Sequence, residues 1–412
     1  MSNLKNLFVN SSVSYISKFL IIGLSFFQKI LLARLLSSEE LGIFFNSQTL
    51  LAMLVFFASL GMTDTIVRFV GLYHCIDDHR VMDVLSKGLR ITLTASVIIS
   101  VLITLTATNF ADYFFHNSNF FIVFIIALGI PFRLVADIIG SANQGVGQLY
   151  LKILLCDLLP SILFSIGLVL LFAFDYYNAL RWVIILYIVP FIVSTFLFVK
   201  KFNIFAIFRS CNSAITTRDL LRYSLPLLLS GIVAWPLTLG PIIMGSLTST
   251  ELVSYYSLAI SLTSFIYLST SAIEAAGLSV WSSYLGSGNK IKILEDYQLS
   301  TRWGIIFGSL IFAPLFICPY EIVNLLFGSK FEMVAQILPI MSCILFINLI
   351  TGPTESLLKA YGETRFIFLS RLAVGLVVLL TIYPFLIFWK LDGAVAVYGL
   401  SNFVGMAMYS WC

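Results

Sequence analysis

Twelve runs of apolar residues divide this chain, each ended by a charged or Gly/Asn/Pro-rich break. They fall at about 12–33, 41–62, 87–108, 120–143, 152–174 and 181–199, then at about 223–247, 252–280, 301–327, 334–358, 366–389 and 393–412. A helix crossing the hydrocarbon core of a bilayer needs about 20 such residues. Of the 412 residues, 59% are hydrophobic and 11% charged, whereas a soluble domain carries about 25% charged residues. There is too little polar surface to cover a globule of this size, which excludes a soluble enzyme. The expected fold class is an all-α polytopic membrane protein with about 12 transmembrane helices and almost nothing outside the bilayer.

The few polar residues exclude further classes. Net charge is +4 with no long basic run, so nucleic-acid binding has no electrostatic footprint. The cysteines (Cys75, Cys156, Cys211, Cys318, Cys343, Cys412) form no CxxC pair, which argues against a zinc site and a disulfide framework. His74, His79 and His116 are all in loops without ligand spacing. The first run has Lys18 inside it and no small-x-small cleavage site, so it reads as an uncleaved first helix. With the N-terminus cytoplasmic, 18 of the 24 basic residues fall on the cytoplasmic side, five on the other, and Arg133 lies within a span. That bias supports cytoplasmic N- and C-termini.

A basic break at 200–222 divides the spans six and six. The expected domains are an N-terminal six-helix bundle (1–199), a cytoplasmic linker (200–222) and a C-terminal six-helix bundle (223–412). Each side carries matching segments. Leu36-Ser37-Ser38-Glu39-Glu40-Leu41 pairs with Leu247-Thr248-Ser249-Thr250-Glu251-Leu252. Gln144-Gly145-Val146-Gly147 pairs with Lys359-Ala360-Tyr361-Gly362, and Asn178-Ala179 with Gly393-Ala394. The order and near-constant offset indicate an internal repeat. Copies with an even number of spans enter the membrane in the same direction, and transporter sites typically lie between such parallel repeats.

The stretch Leu31-Leu32-Ala33-Arg34-Leu35-Leu36-Ser37-Ser38-Glu39-Glu40-Leu41-Gly42-Ile43-Phe44 resembles the L-A-R-x-L-S-x-E-x-x-G signature of bacterial polysaccharide flippases. These belong to the multidrug/oligosaccharidyl-lipid/polysaccharide exporter superfamily, and the resemblance is to its O-antigen (Wzx-type) branch. Ser59-Leu60-Gly61 with Arg68, Gly145-Val146-Gly147-Gln148, Tyr361-Gly362-Glu363-Thr364 and Asp392-Gly393-Ala394-Val395-Ala396 support it. The resemblance implies a two-bundle protein of the bacterial inner membrane. Its members carry undecaprenyl-pyrophosphate-linked sugar repeat units, such as those of lipopolysaccharide, to the outer leaflet. The second copy departs from the signature, with Gly245 at the position of Arg34.

Such a cargo needs a polar, preferably cationic, interior for its head, and Arg suits phosphate through its planar fork. The candidate substrate-binding residues are Arg133, Lys18, Lys29 and Arg68. Arg133 follows Pro131 near the middle of span 4, and Asp137 is one turn on. The two either face a polar cavity or form an internal ion pair. Lys18 and Lys29 either line a cavity or snorkel to the headgroups; Arg34 reads as an interfacial anchor. The candidate ion-coupling or gating residues are Asp64, Asp137, Glu274, Glu355 and Lys359. Asp64 and Arg68 are spaced i, i+4, and Glu274 is a membrane carboxylate without an obvious local cation. Glu355 and Lys359 follow Gly352-Pro353, where a broken helix serves as a gate or as a plain kink. Trp182, Trp281, Trp303 and Trp389 are placed for interfacial belts.

The leading expectation is a lipid-linked oligosaccharide flippase working by alternating access. An ion-coupled multidrug or cation exporter of the same superfamily is the alternative, followed by a membrane polysaccharide polymerase. The longest outer loop, 109–119, is too short for an enzymatic domain. No cofactor is expected, with proton or sodium coupling left open. The expected partners are the lipid-linked oligosaccharide, membrane lipids, and a polysaccharide polymerase with its chain-length regulator, without nucleic acid.

Overall fold

The computed structural model describes residues 20–73, 78–109, 120–146, 148–174, 179–202, 216–234, 240–286, 290–361 and 363–410. Among the described residues the regular elements are all helical, and nine helices are long and apolar enough to cross a membrane. Backbone packing divides the chain into two compact units, Met1–Gly231 and Ile232–Cys412.

The first unit contains α1 (residues 20–35), α2 (Ser38–Ser59), α3 (Met62–Tyr73), α4 (Asp78–Leu105) and α5 (Phe120–Gly145). It continues through α6, built from Leu149–Lys152, a π-helical segment Ile153–Leu158 and Leu159–Phe174. α7 (Ala179–Phe202) and the start of α8 (Thr217–Ala234) complete it. Of the basic break at 200–222, residues 203–215 lie outside the described residues. Where α8 begins, it packs on the first unit: Leu220 joins a buried cluster with Met62, Ile66, Leu89, Ile139 and Phe198.

Ser37 stops α1 and starts α2. Its hydroxyl accepts the Glu40 N–H at 3.2 Å while Glu40 Oε2 accepts the Ser37 N–H at 3.0 Å. This capping box satisfies two of the helix's orphan donors. Leu32, Leu36, Leu41 and Phe44 around it are buried. The flippase-like signature is thus the chemistry of a tight helix–helix turn. In the second copy Ser249 accepts the Leu252 N–H at 3.4 Å. Ser37 and Ser249 perform the same cap, whereas the sequence pairing sets Ser38 opposite Ser249.

α5 is the hub of this unit, packing against α2, α3, α4, α6 and α7. A helix surrounded in this way must be apolar on nearly every face. Phe120–Gly145 fits, with Ile122, Val123, Ile126, Ile130, Leu134 and Ile138 all buried. Close approach of α6 requires Gly140, where an added Cβ would come within 2.6 Å of Cys156 Sγ.

The second unit holds α9 (Gly240–Leu247), α10 (Thr250–Gly286), α11 (Lys290–Ile317), α12 (Pro319–Leu326), α13 (Glu332–Asn348), α14 (Thr354–Tyr361) and α15 (Thr364–Ser410). α10 is its hub, packing against α9, α11, α13, α14 and α15. Two expected spans are broken, and two others follow each other without an intervening loop. The run 301–327 divides at Cys318, because Pro319 opens a new helix and cannot continue the old one. The run 334–358 divides at a 3₁₀ turn, Leu349–Thr351, followed by Gly352 at φ 63°. The runs 366–389 and 393–412 are two arms of α15 meeting at Lys390, whose φ of 45° breaks the helix.

That junction is a reversal. Residues eight apart in one helix are separated by about 12 Å, yet a Cβ added at Gly393 would collide with the Phe385 carbonyl. Further along, a Cβ at Gly405 would lie 3.7 Å from Val374 Cγ2. Trp281, expected in an interfacial belt, is instead buried beside Tyr297 with ring centroids 6.2 Å apart. Trp182, Trp303 and Trp389 are exposed, as are Leu380 (75%) and Phe388 (76%). Large apolar side chains this open to the surroundings suit lipid rather than water.

Candidate functional site

Pro131 and the π-helical segment shape the first unit's polar site. Proline has no N–H, so Pro131 leaves the Ala127 carbonyl without its helical donor. Ser100 of α4 supplies one, its hydroxyl donating to Ala127 O at 2.7 Å. Thr195 of α7 donates to Phe132 O at 2.6 Å, and its neighbour Ser194 donates to Leu155 O within the π segment at 2.7 Å. Lipid would leave these carbonyls bare, so the hydroxyls keep an irregular backbone tolerable at membrane depth. Adjacent residues of α7 thereby clamp both distorted helices.

The distortions bring Arg133 of α5 and Asp157 of α6 to the wall of one cavity, with a volume of ≈ 230 Å³. A π turn shifts the angular phase of the residues within it, and such turns recur at functional sites. Ile21, Ser25 and Gln28 of α1, Gln48 of α2, Cys156, Pro160, Ser161 and Phe164 of α6, and Tyr187 and Phe191 of α7 complete the wall. Arg133 Nε lies 3.8 Å from Asp137 Oδ2, and its guanidinium sits 4.6 Å from the centre of the Phe191 ring. Phe191 meets Tyr187 edge-on at 5.7 Å, and Tyr187 meets Phe164 edge-on at 5.6 Å. Gln28 Nε2 donates to Ser161 O at 2.8 Å and to Ser165 Oγ at 3.0 Å, tying α1 to α6.

Arg133 therefore takes part in both arrangements that its sequence position permits. It makes a loose ion pair with Asp137 and also lines a cavity. Lys29 is half-buried on α1 and is not among the lining residues. Asp64 and Arg68 lie on an exposed face of α3, where the Arg68 guanidinium stacks 4.2 Å from the centre of the Tyr223 ring of α8. Lys18 and the side chains of Glu274 and Lys359 lie outside the described residues. Asp157 and Gln48 are lining groups that the sequence reading passed over. Each is a polar residue inside an apolar run, the same signal that singled out Arg133.

The second unit has its own polar cavity, of ≈ 320 Å³, with Asn348, Glu355, Arg371, Ser401, Asn402 and Tyr409 in its wall. Glu355 pairs with Arg371 at 2.8 Å, and its other oxygen accepts the Tyr409 hydroxyl at 3.3 Å. Asn348 Nδ2 donates to Asn402 Oδ1 at 3.0 Å. The helix break at Leu349–Gly352 lies beside this cluster, where the Tyr297 hydroxyl donates to the Thr351 carbonyl and meets Thr354 Oγ1 at 2.8 Å. Among the described residues no group of His, Cys, Asp and Glu has the arrangement to hold a metal ion.

Comparison with known proteins places this architecture. Residues 4–276 match the family model described as "Polysaccharide biosynthesis protein", and residues 226–384 match the MatE model. No curated protein matches the chain in sequence. Among solved structures, the chain resembles an inward-facing MATE-family multidrug resistance transporter of the MOP superfamily. That match has a TM-score of 0.74 at 15% identity, covering 94% of this chain and 92% of the other. It also resembles the lipid II flippase MurJ in an inward closed conformation, with a TM-score of 0.75 at 14% identity over 96% and 86% of the two chains. A MOP-superfamily transporter from Pyrococcus furiosus gives a TM-score of 0.60 at 16% identity over 98% and 94%. These identities speak for the fold. The sequence-family match spans the majority of the chain, including every residue of the Arg133 cavity. The chain is a multi-pass membrane protein with the MOP-superfamily fold, and it belongs to the polysaccharide biosynthesis protein family.

Proposed function

We propose that the protein is a flippase for undecaprenyl-pyrophosphate-linked oligosaccharide, an O-antigen or related surface polysaccharide repeat unit. It works in the bacterial inner membrane with both termini cytoplasmic. The observation that carries this reading is the match of residues 4–276 to the polysaccharide biosynthesis family, a stretch that contains the polar cavity beside Arg133. A polar headgroup cannot cross hydrocarbon, whereas a polyprenyl tail can remain in lipid. A cavity with Arg, Asp, Gln and Ser in its wall gives the head a route that the bilayer denies it. The division into two six-helix repeats, 1–199 and 223–412 joined by 200–222, suits alternating access, with the cargo entering from the cytoplasmic leaflet. Arg133 serves as a headgroup contact, with Lys18, Lys29 and Arg68 along the entry route. Asp64, Asp137, Glu274, Glu355 and Lys359 are the candidates for proton or sodium coupling and gating. A polysaccharide polymerase and its chain-length regulator act on the product.

Deleting the gene tests this reading. Undecaprenyl-linked repeat units should accumulate on the cytoplasmic leaflet and surface polysaccharide should fall. The wild-type gene should restore both, and Arg133→Ala should restore neither fully. Normal surface polysaccharide in the deletion strain overturns the flippase reading. A second reading, export of cationic drugs, draws on the MatE match at 226–384 and on the Asp157 carboxyl in the cavity wall. Raised sensitivity of the deletion strain to cationic dyes, with normal polysaccharide, would favour it.

A further inference from the structure

We propose that the cavity beside Arg133 is a sugar subsite that takes one pyranose ring of the cargo, with the diphosphate held elsewhere. This rests on the flippase reading and assigns a part of the cargo to a part of the protein. Size is the first argument. A volume of ≈ 230 Å³ equals that of seven or eight waters at about 30 Å³ each. One pyranose ring fits such a space, and the rest of a larger headgroup would extend through its open side.

Charge is the second. A diphosphate brings at least two negative charges and calls for a net positive cavity. The wall has one guanidinium, Arg133, and one carboxyl, Asp157. Asp137 lies behind the guanidinium at 3.8 Å, and Phe191 covers one of its faces. Asp137 and Asp157 balance Arg133 and Lys152, which acts on both carboxyls, so the cluster has no surplus of positive charge for a diphosphate.

The chemistry of the wall is the third. A pyranose has hydroxyls around its edge and C–H bonds on its faces, so it is matched by planar polar groups beside aromatic rings. Gln48, Asp157 and Arg133 supply the planar groups, and Phe164 and Tyr187 the rings. The Gln28 amide is committed to holding α1 against α6. Gln48 has no hydrogen-bond partner among the described residues, although it is half-buried in a membrane helix. An amide facing the cavity in this way is free to meet a ligand. Its two donors and one oxygen suit a pair of neighbouring sugar hydroxyls.

The test uses the full-length protein in detergent and measures the Kd of undecaprenyl pyrophosphate, without sugar or bearing one sugar. A hexose, an N-acetylhexosamine and a 6-deoxyhexose make up the panel. Wild-type protein should bind at least one sugar-bearing lipid about tenfold more tightly than the sugarless lipid, the effect of one or two net hydrogen bonds. Gln48→Leu and Tyr187→Leu should bring that ratio near one, and Tyr187→Phe, which keeps the ring, should retain most of it. Equal affinity for every lipid in wild type overturns the subsite, and this comparison needs no variant to fold. A ratio that survives both Leu substitutions overturns it too, since the sugar is then read elsewhere. Equal weakening of sugarless and sugar-bearing lipids overturns it in favour of a diphosphate site. Failure of wild type to bind any of them overturns the flippase reading, and the subsite with it.

Discussion

Arg371 Nη2 lies 2.8 Å from Glu355 Oε1, joining α14 to the first arm of α15 across a polar cavity. The two units thus carry ionic clusters of opposite order along the chain. In the first unit Arg133 of α5 precedes Asp157 of α6, and in the second Glu355 of α14 precedes Arg371 of α15. At the offset of 215 between Gln144 and Lys359 in the matching segments of this chain, the counterpart of Arg133 is the neutral Asn348. A repeat that exchanges its charges in this way retains polar interiors in both halves while making them chemically unlike.

The Glu355–Arg371 pair is partly solvated, with side chains 27% and 48% exposed. Its loss should cost about 1 kcal/mol, the upper range for exposed pairs, rather than the several kcal/mol of a buried one. Arg371→Met and Glu355→Gln should each lower the thermal midpoint in detergent. The double variant should be no less stable than the worse single. Additive losses in a double-mutant cycle would show that the two side chains act independently.

Ser100→Ala should be more harmful than its small size suggests. It removes the only hydroxyl donor described at Ala127 O, a carbonyl that Pro131 has already deprived of its helical partner. A buried carbonyl left bare costs about 1–3 kcal/mol. Pro131→Ala restores an N–H at the right place, so Ser100→Ala should be nearly silent in that background. The same thermal midpoint checks it. An equal loss in both backgrounds would remove the proline from the explanation.

The apolar runs made the spanning helices legible, because their length and composition are fixed by the bilayer rather than by neighbours. Arg133 stood out for the same reason, as a charge where lipid allows few. Less legible was everything decided by contact between helices. The reversal at Lys390 is an exception, announced by the charged break of Lys390, Asp392 and Gly393 between the runs 366–389 and 393–412. Glu355 also meets Arg371, sixteen residues away, which spacing along one helix does not reveal. Trp281 lies near the end of an apolar run but is covered by Tyr297 from another helix. Asp157, by contrast, carries the same signal in the sequence as Arg133, a charge inside an apolar run.

Outside the membrane, Asp219 ties the start of α8 to pH. The Thr216 hydroxyl and N–H both donate to its carboxylate, at 2.6 and 3.0 Å, and hold its pKa below the ordinary aspartate value. Thr216 Oγ1 in turn accepts the Asp219 N–H at 3.2 Å, closing a capping box. A carboxyl with a depressed folded-state pKa stabilises above its unfolded pKa of about 3.9, and that stabilisation disappears as pH falls through the folded value. Hydrogen exchange at the first turn of α8 should therefore accelerate on acidification below about pH 4 beyond the intrinsic trend. In Asp219→Asn the extra acceleration should be absent.

Gly352 is where the second unit should be least tolerant of a methyl group. Its φ of 63° lies in the left-handed region, and an added Cβ would collide with Thr301 Oγ1 of α11. Gly352→Ala thus meets two separable penalties. The backbone conformation alone, with ψ −164°, is essentially restricted to glycine and costs about 1–3 kcal/mol for an L-residue. The collision adds to it, since Thr301 Cβ is itself only 3.2 Å from the new atom. Thr301→Ala should relieve the hydroxyl collision but not the backbone cost, so the double variant should be intermediate between wild type and Gly352→Ala in thermal midpoint. The Tyr297 hydroxyl, which donates to the neighbouring Thr351 carbonyl, offers an independent check. Tyr297→Phe leaves that carbonyl with the Thr354 hydroxyl as its remaining described donor and should speed amide exchange from Gly352 to Leu357 without moving the first unit's exchange. Uniform acceleration across both units would mean that the break is not a local hinge but part of the global stability of the protein.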